Sequence, residues 1–228
     1  MLGILMLQTR FPRIPGDIGN PETFAFPVRK RMVEGASPQR VVMEADPTLL
    51  QPFIDAGHAL IAEGATLITT SCGFLALFHK EMAAALPVPV LTSSLLQVAP
   101  VYASLQPGQT VGILTANKAA LTPRHLAAVG AGDVPVAIAG LEETAEFARV
   151  FLQNAETLNV EAARQEVLEA TRRLMTAHPE IGALVLECTN LPPYADEIRR
   201  ITGLPVFDIT TLCNWAWAAR AGGDPYGR

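Results

Sequence analysis

The chain has 228 residues, of which 50% are hydrophobic and 17% charged, and its formal net charge at pH 7 is −5. This length and apolar content are enough to bury a substantial core in one large domain or two small ones. The mild negative charge, without a basic cluster interleaved with aromatic residues, argues against nucleic acid as a partner. Three scattered cysteines without CxxC spacing argue against a disulfide framework and a structural zinc site, and free thiols predict the cytoplasm.

Neither a secretion signal nor a membrane partner is expected. Residues 1–7 are apolar but lack the basic start and small-residue cleavage site of a signal peptide. Residues 82–117 carry no formal charge, yet four prolines interrupt them. A spanning helix needs about 20 continuous, mainly apolar residues, so this stretch is interpreted as two buried strands separated by a helix and a turn.

Short β-rich apolar runs alternate with longer helical patterns, which predicts parallel sheets covered by helices on both faces. The predicted strands, in chain order, are residues 2–7, 41–43, 66–70, 88–91, 110–115, 134–139, 183–187 and 205–207. A helix is predicted between the second and third strands, where Asp46-Pro47 provides a cap and Gly64 an end. A further helical pattern covers residues 142–177, with a break at 154–159.

Residues 8–28 fit neither a strand nor a helix. They contain four prolines and two glycines, which predicts a loop with defined turns. Long loops inside compact domains often act as lids or binding loops, and a surface or dimer-contact excursion is an equally good interpretation. Arg10 and Arg13 in this loop are weak candidates for binding a second substrate carboxylate, because solvated arginines are the commoner case.

One half-domain pattern occurs twice. Cys72 follows one apolar run and precedes a Leu-Pro-Val segment, and Cys188 does the same at nearly the same offset. The Gly-Ile-Leu segment that begins at Gly3 recurs at Gly112. The repeat predicts two similar lobes of four strands each, which meet near residues 106–108.

The two matched cysteines are the candidate catalytic residues. Each follows a predicted strand and precedes a helix, at the edge where open α/β sheets bind ligands. A helix N-terminus is expected to lower the pKa of the thiol and to offer N–H groups to a substrate carboxylate. A lone cysteine is more often a small buried hydrophobe, and Cys213 is interpreted as such. Matched positions in a repeat favour a function for Cys72 and Cys188.

The two cysteine segments and the Gly-Ile-Leu strands resemble the aspartate/glutamate/hydantoin racemase superfamily over nearly the whole chain. Glu187-Cys188-Thr189-Asn190 is close to the family's Cys-Thr pattern, whereas Gly73-Phe74 stands where the family often has Asn-Thr. The resemblance implies an α/β fold of two pseudo-symmetric lobes, each a four-stranded, mainly parallel sheet flanked by helices. Residues 1–97 with 208–228 are predicted to form the first lobe and residues 98–207 the second, with the active site between them.

The resemblance also implies a homodimer that acts on a small carboxylate substrate without a cofactor or metal. We therefore predict an amino-acid racemase or epimerase, an isomerase, in which one thiolate removes the α-proton and the opposing thiol returns a proton. The predicted substrate-binding residues are Gln8, Thr9, Ser71, Gly73, Thr115, Thr189 and Asn190.

Two alternatives remain open at this point. The first keeps the fold but changes the chemistry to a decarboxylase with one catalytic thiol or a cis–trans isomerase with a nucleophilic thiol, and the altered motif after Cys72 keeps it open. The second is a non-catalytic small-molecule binder or thiol sensor. The chain contains no HExxH, P-loop or GxGxxG motif, so neither a metal site nor a nucleotide site is predicted.

Overall fold

The computed structural model describes residues 1–220 and contains two four-stranded sheets. The strands are β1 (Leu2–Met6), β2 (Val28–Met32), β3 (Leu67–Thr70), β4 (Val90–Leu91), β5 (Thr110–Thr115), β6 (Val136–Gly140), β7 (Ile181–Leu186) and β8 (Val206–Phe207). Their order is β2-β1-β3-β4 in the first sheet and β6-β5-β7-β8 in the second, and all neighbours are parallel. The predicted fold class is confirmed.

Long connections join these parallel strands: the proline-rich loop joins β1 to β2, and the connections between the later strands contain helices. The helices are α1 (Leu50–Ala62), α2 (His79–Ala85), α3 (Val98–Ala103), α4 (Pro123–Ala128), α5 (Val160–Ala177), α6 (Ala195–Thr202) and α7 (Ile209–Ala218). Before α1, the Asp46 carboxylate accepts a hydrogen bond from the Thr48 amide and caps a short 3₁₀ turn. No helix within residues 1–220 is long and apolar enough to cross a membrane.

One predicted strand is wrong. Residues 41–43 belong to a short π-helical segment, Gln39–Met43, that buries Val41 and Val42. The missing strand is β2, whose sequence Val-Arg-Lys-Arg-Met pairs with β1 at the edge of the first sheet. An edge strand leaves its side chains in water, so β2 lacks the apolar pattern by which the other strands are recognised.

The repeated Gly-Ile-Leu segments lie in β1 and β5, which each have a neighbouring strand on both sides. A Cβ atom at Gly3 would lie 2.7 Å from Ile68 Cδ1, and one at Gly112 would lie 2.6 Å from Leu184 Cδ2. Ile68 and Leu184 are both fully buried, and their side chains therefore have little room to move. The repeated glycine is a packing requirement at the same place in each lobe.

The last helix, α7, packs against the first sheet although it follows the second along the chain. Its buried residues Ile209, Leu212 and Cys213 cluster with Leu2, Ile4, Met6, Leu67 and Leu91 of the first half. The interpretation of Cys213 as a core residue agrees with this placement. The exact lobe boundaries stay a prediction, and residues 221–228 of the first-lobe assignment lie outside the described residues.

The proline-rich loop is held by a buried ion pair. Arg13 Nη1 lies 2.8 Å from Asp17 Oδ1, and the two side chains are 12% and 2% exposed. Asn190, in the second half of the chain, donates a hydrogen bond of 2.6 Å to the other Asp17 oxygen. Arg10, by contrast, pairs with Glu156 on the exposed surface. Arg13 therefore fastens the loop internally, and Asp17 fastens it to the second half.

We expect Gly112→Val to lower the free energy of unfolding by about 1–3 kcal/mol, because the added methyl groups would overpack the contact with Leu184. Urea denaturation measures the change. The control Ala119→Val, at an exposed position, should change the stability by less than about 0.5 kcal/mol. An unchanged midpoint for Gly112→Val would show that the close packing of β5 is not needed.

We expect Asp17→Ala to cost about 3 kcal/mol of stability, because it leaves the buried Arg13 guanidinium without its partner. The matched control is Glu156→Ala, which removes the exposed pair with Arg10 and should cost less than about 1 kcal/mol. Equal losses in the two variants, measured by thermal unfolding, would contradict a structural role for the Arg13–Asp17 pair.

Candidate active site

A small cavity of about 30 Å³, about the space of one water molecule, lies where the carboxyl ends of the central strands of both sheets meet. Its wall combines the segment after β1, the segment after β3 and the segment after β7. The lining residues are Leu7, Thr9, Phe11, Pro38, Val42, Ser71, Cys72, Gly73, Phe74, Ala116, Phe151, Leu152, Glu187, Cys188, Thr189 and Asn190.

Both candidate cysteines line this cavity, and each side chain is buried. Cys72 precedes a 3₁₀ segment, Gly73–Phe78, rather than an α-helix. The backbone N–H groups of Phe74 and Leu75 donate to its sulfur. The sulfur of Cys188 receives one backbone N–H, from Asn190, and its S–H donates to Asn190 Oδ1 at 3.5 Å. The two thiols thus face the same small space.

The prediction that both thiols have a lowered pKa is wrong. Burial, and to a smaller extent the nearby Glu187 carboxylate, raises the pKa of Cys72 to about 12. The same two causes, in the same order, raise the pKa of Cys188 well above its ordinary value. Backbone N–H groups act in the opposite direction, but they do not replace the hydration that a thiolate loses in this cavity.

Glu187 is a cavity residue that the sequence analysis did not select. Its side chain is fully buried, and Oε2 accepts a hydrogen bond of 2.7 Å from the Thr115 hydroxyl. Oε1 has no hydrogen-bond partner. Burial raises the pKa of this carboxyl to about 7, against the smaller lowering effect of the Thr115 hydrogen bond. An acidic residue directly after an apolar strand and beside Cys188 was the available signal.

Gly73 makes room for that carboxyl group. A Cβ atom at residue 73 would overlap both Glu187 Oε1 and the Glu187 carbonyl oxygen. The departure of Gly73 from the family's first cysteine motif therefore has a physical reason: a larger residue there would collide with Glu187 in the second half of the chain.

Most of the predicted substrate-binding residues reach the cavity wall, but their polar atoms are already engaged. Thr9, Ser71, Gly73, Thr189 and Asn190 line the cavity. The Thr189 hydroxyl donates to the Ser71 carbonyl oxygen at 2.7 Å, which joins the two cysteine segments. Gln8 and Thr115 are not lining residues: Gln8 is exposed and accepts from the Gly35 amide, and Thr115 lies behind Glu187.

The cavity wall has acidic groups but, within residues 1–220, no basic side chain. Among the described residues, the cavity wall contains no lysine, arginine or histidine, and Glu187 is its one ionisable carboxyl group. The side chains of Phe11, Phe74 and Phe151 supply aromatic surface. The site therefore combines two thiols, one partly unpaired carboxyl group and three aromatic rings in a space from which water is largely excluded.

Comparisons with known proteins place this site in a family. The Asp/Glu/Hydantoin racemase family matches residues 93–216. A dimethylsulfoniopropionate lyase of Durusdinium sp. clade D is 31% identical over 214 residues, which cover 91% of this chain and 70% of that protein. Dimethylsulfoniopropionate lyase 7 of Emiliania huxleyi (strain CCMP1516) is 33% identical over 234 residues, which cover 96% of this chain and 66% of that protein. The chain thus spans about two thirds of the length of these relatives.

A solved structure supports the fold alone. The liganded form of a mutant arylmalonate decarboxylase is 16% identical, with a TM-score of 0.65 over 98% of this chain and 93% of that one. It has the same two-lobed arrangement of parallel sheets.

The names of the relatives contradict the predicted activity. They are lyases, so the prediction of an amino-acid racemase or epimerase, and with it the isomerase class, is wrong. The alternative that included a one-thiol decarboxylase, itself a lyase, agrees better with them. The family resemblance carried by the Cys72 and Cys188 segments is confirmed, and this chain belongs to the Asp/Glu/hydantoin racemase family.

Proposed function

We propose that this chain is a lyase that cleaves a carbon–sulfur bond in a small sulfonium carboxylate such as dimethylsulfoniopropionate. The observation that carries the proposal is the 31% and 33% identity to dimethylsulfoniopropionate lyases over more than nine tenths of this chain. We assign the role of base to one of the two matched cavity thiols, Cys72 or Cys188.

The proposed reaction is a β-elimination. A thiolate removes a proton from the carbon beside the substrate carboxylate, and the electron pair forms a double bond to the next carbon. The bond from that carbon to sulfur breaks, and its electrons leave with sulfur as neutral dimethyl sulfide. The products are acrylate, dimethyl sulfide and the proton now held by the thiol, so atoms and charge balance without a redox partner.

This chemistry needs one base rather than two. Dimethyl sulfide leaves as a neutral molecule and requires no proton from an acid. One cysteine therefore acts as the base, and its counterpart in the other lobe positions the substrate. The cavity agrees with such a division, because the residue before Cys188 is a glutamate and the residue before Cys72 is a serine.

The substrate itself can promote ionisation of the base. In the cavity, burial and the Glu187 carboxylate both raise the thiol pKa. A sulfonium group brings a positive charge close to the thiols, and an opposite charge within a few ångströms lowers a thiol pKa. A thiolate formed in this way is a strong base, which suits the weakly acidic proton beside a carboxylate.

Access to the site requires the wall to move. The cavity holds about 30 Å³, which is far less than a substrate with eight non-hydrogen atoms occupies. The proline-rich loop contributes Thr9 and Phe11 to the wall. We propose that this loop opens to admit the substrate and closes over it, which is the lid role predicted from its length.

The chain is further proposed to act as a homodimer in the cytoplasm. The location is proposed on its free thiols, since Cys72, Cys188 and Cys213 form no disulfide in the described structure. The dimer follows the expectation for the family, and sedimentation analysis tests it directly.

The test is release of dimethyl sulfide and acrylate from dimethylsulfoniopropionate, measured by gas chromatography and NMR. We expect the serine variant of the base, either Cys72→Ser or Cys188→Ser, to lose at least about 100-fold in kcat, since a positioned base contributes that much or more. The other variant should lose less. Cys213→Ser, at a buried position of α7 outside the cavity lining, is the matched control and should keep its activity.

Two outcomes would contradict the proposal. If the wild-type protein released no dimethyl sulfide, the substrate class would be wrong. If Cys72→Ser and Cys188→Ser both kept near-normal turnover, thiol-based elimination would be wrong.

A further inference from the structure

We propose that the Glu187 carboxylate, together with the aromatic rings that line the same cavity, binds the positively charged sulfonium group of the substrate. This inference rests on the proposed function and assigns the residue that selects a cationic substrate. Its basis is the geometry of the cavity: a fully buried carboxyl group with one free oxygen, in a lining without any cation among the described residues.

The groups around the buried Glu187 carboxyl do not fully replace its hydration. Removing a carboxylate from water is costly unless ion pairs or hydrogen bonds replace its hydration. The Thr115 hydroxyl satisfies Oε2, but Oε1 has no partner. In folded proteins most buried polar side-chain atoms are satisfied, so an unsatisfied oxygen in a cavity wall indicates a ligand group that completes it.

The other residues that line the cavity favour a cation without N–H donors. Phe11, Phe74 and Phe151 line the same cavity, and aromatic faces attract alkylated cations. A sulfonium group has a positive charge but no hydrogen to donate. It therefore matches a cavity that combines one carboxylate with aromatic rings better than an ammonium group does, because an ammonium group needs several hydrogen-bond acceptors.

The glycine at position 73 supports this assignment independently. A side chain at residue 73 would occupy the place of Glu187 Oε1. The first cysteine segment thus has no side chain at the position where the carboxyl group of the second segment packs in the cavity wall. The two lobes differ here, which breaks the symmetry of the site and assigns one end of it to the positive group.

Charge compensation links this role to the base. The Glu187 carboxylate raises the pKa of both thiols, so a cation bound to it removes an obstacle to thiolate formation. The other charged groups that act on the thiols are Arg13 on Cys72 and Asp17 on Cys188. Those two side chains form an ion pair with each other.

The sign of the pH dependence follows from the Glu187 pKa of about 7. The carboxyl group is charged above this pKa and neutral below it. The thiols, whose pKa is raised, stay neutral near pH 7 in the absence of a cation. Affinity for a cationic ligand should therefore fall as the pH drops from 8 to 6.

The test compares two ligands of the same shape, 3-(trimethylammonio)propanoate and its carbon isostere 4,4-dimethylpentanoate, which keeps the carboxylate but lacks the positive charge. Isothermal titration calorimetry at pH 8 should show at least about 10-fold tighter binding of the cationic ligand to the wild type, or about 1.4 kcal/mol. In Glu187→Gln the preference should fall to about 2-fold or less, with little change for the isostere. Neither ligand has a dimethyl sulfide leaving group, so binding is measured without turnover.

Two further variants keep the test specific. Glu169→Gln, an exposed residue of α5, is the matched control and should keep the full preference. Glu187→Asp keeps a carboxylate and should therefore keep part of the preference for the cationic ligand. This variant provides the test if Glu187→Gln folds poorly. Circular dichroism checks the folding of each variant. In Glu187→Gln the dissociation constant of the cationic ligand should not change between pH 6 and pH 8.

The outcomes separate this inference from the proposed function. Cleavage of dimethylsulfoniopropionate together with equal binding of the two ligands, or with a preference that survives in Glu187→Gln, would overturn the role of Glu187 alone. A preference that depends on Glu187 without any cleavage would overturn the lyase proposal and leave Glu187 as the binding residue for another alkylated cation.

Discussion

The exclusion of water from the meeting point of the two lobes is the constraint on which the site depends. The Thr189 hydroxyl bonds to the Ser71 carbonyl oxygen, and the Ser94 hydroxyl bonds to the Leu186 carbonyl oxygen, so the carboxyl edges of the two sheets are joined directly. The cysteines and Glu187 are enclosed between them. Burial is the largest cause of the raised pKa of each of these groups.

The two lobes repeat each other in architecture but not in chemistry. A glycine lies near the start of both β1 and β5, and a cysteine follows both β3 and β7. The residues around the cysteines differ: Gly73 follows the first, and Glu187 precedes the second. A symmetric pair of thiols would suit the transfer of a proton between two faces of a carbon. The single carboxyl group favours instead a substrate whose two ends carry different charges.

The family was predictable from the sequence, but the activity was not. Racemases, decarboxylases and lyases can share this fold, because its strands and helices only bring two chain segments to a common edge. The Gly-Ile-Leu and cysteine segments identify that framework. The reaction depends on which charges surround the thiols, and the prediction from Cys72 and Cys188 alone gave the wrong chemistry. Glu187 was not selected as a site residue because sequence position does not tell whether a side chain next to a cysteine points into the cavity.

Local sequence determined the strands with apolar cores, the capped helices and the matched cysteines, because these features depend on short-range pattern and on repetition. It misplaced β2, since Val-Arg-Lys-Arg-Met becomes a strand only by pairing with β1 at an exposed edge. It also suggested lowered thiol pKa values, which hold for a solvated helix end. The cavity, the burial of Glu187 and the raised thiol pKa values were decided only by the tertiary structure. They depend on desolvation, and desolvation arises because residues more than one hundred positions apart in the chain, such as Cys72 and Glu187, pack around the same space.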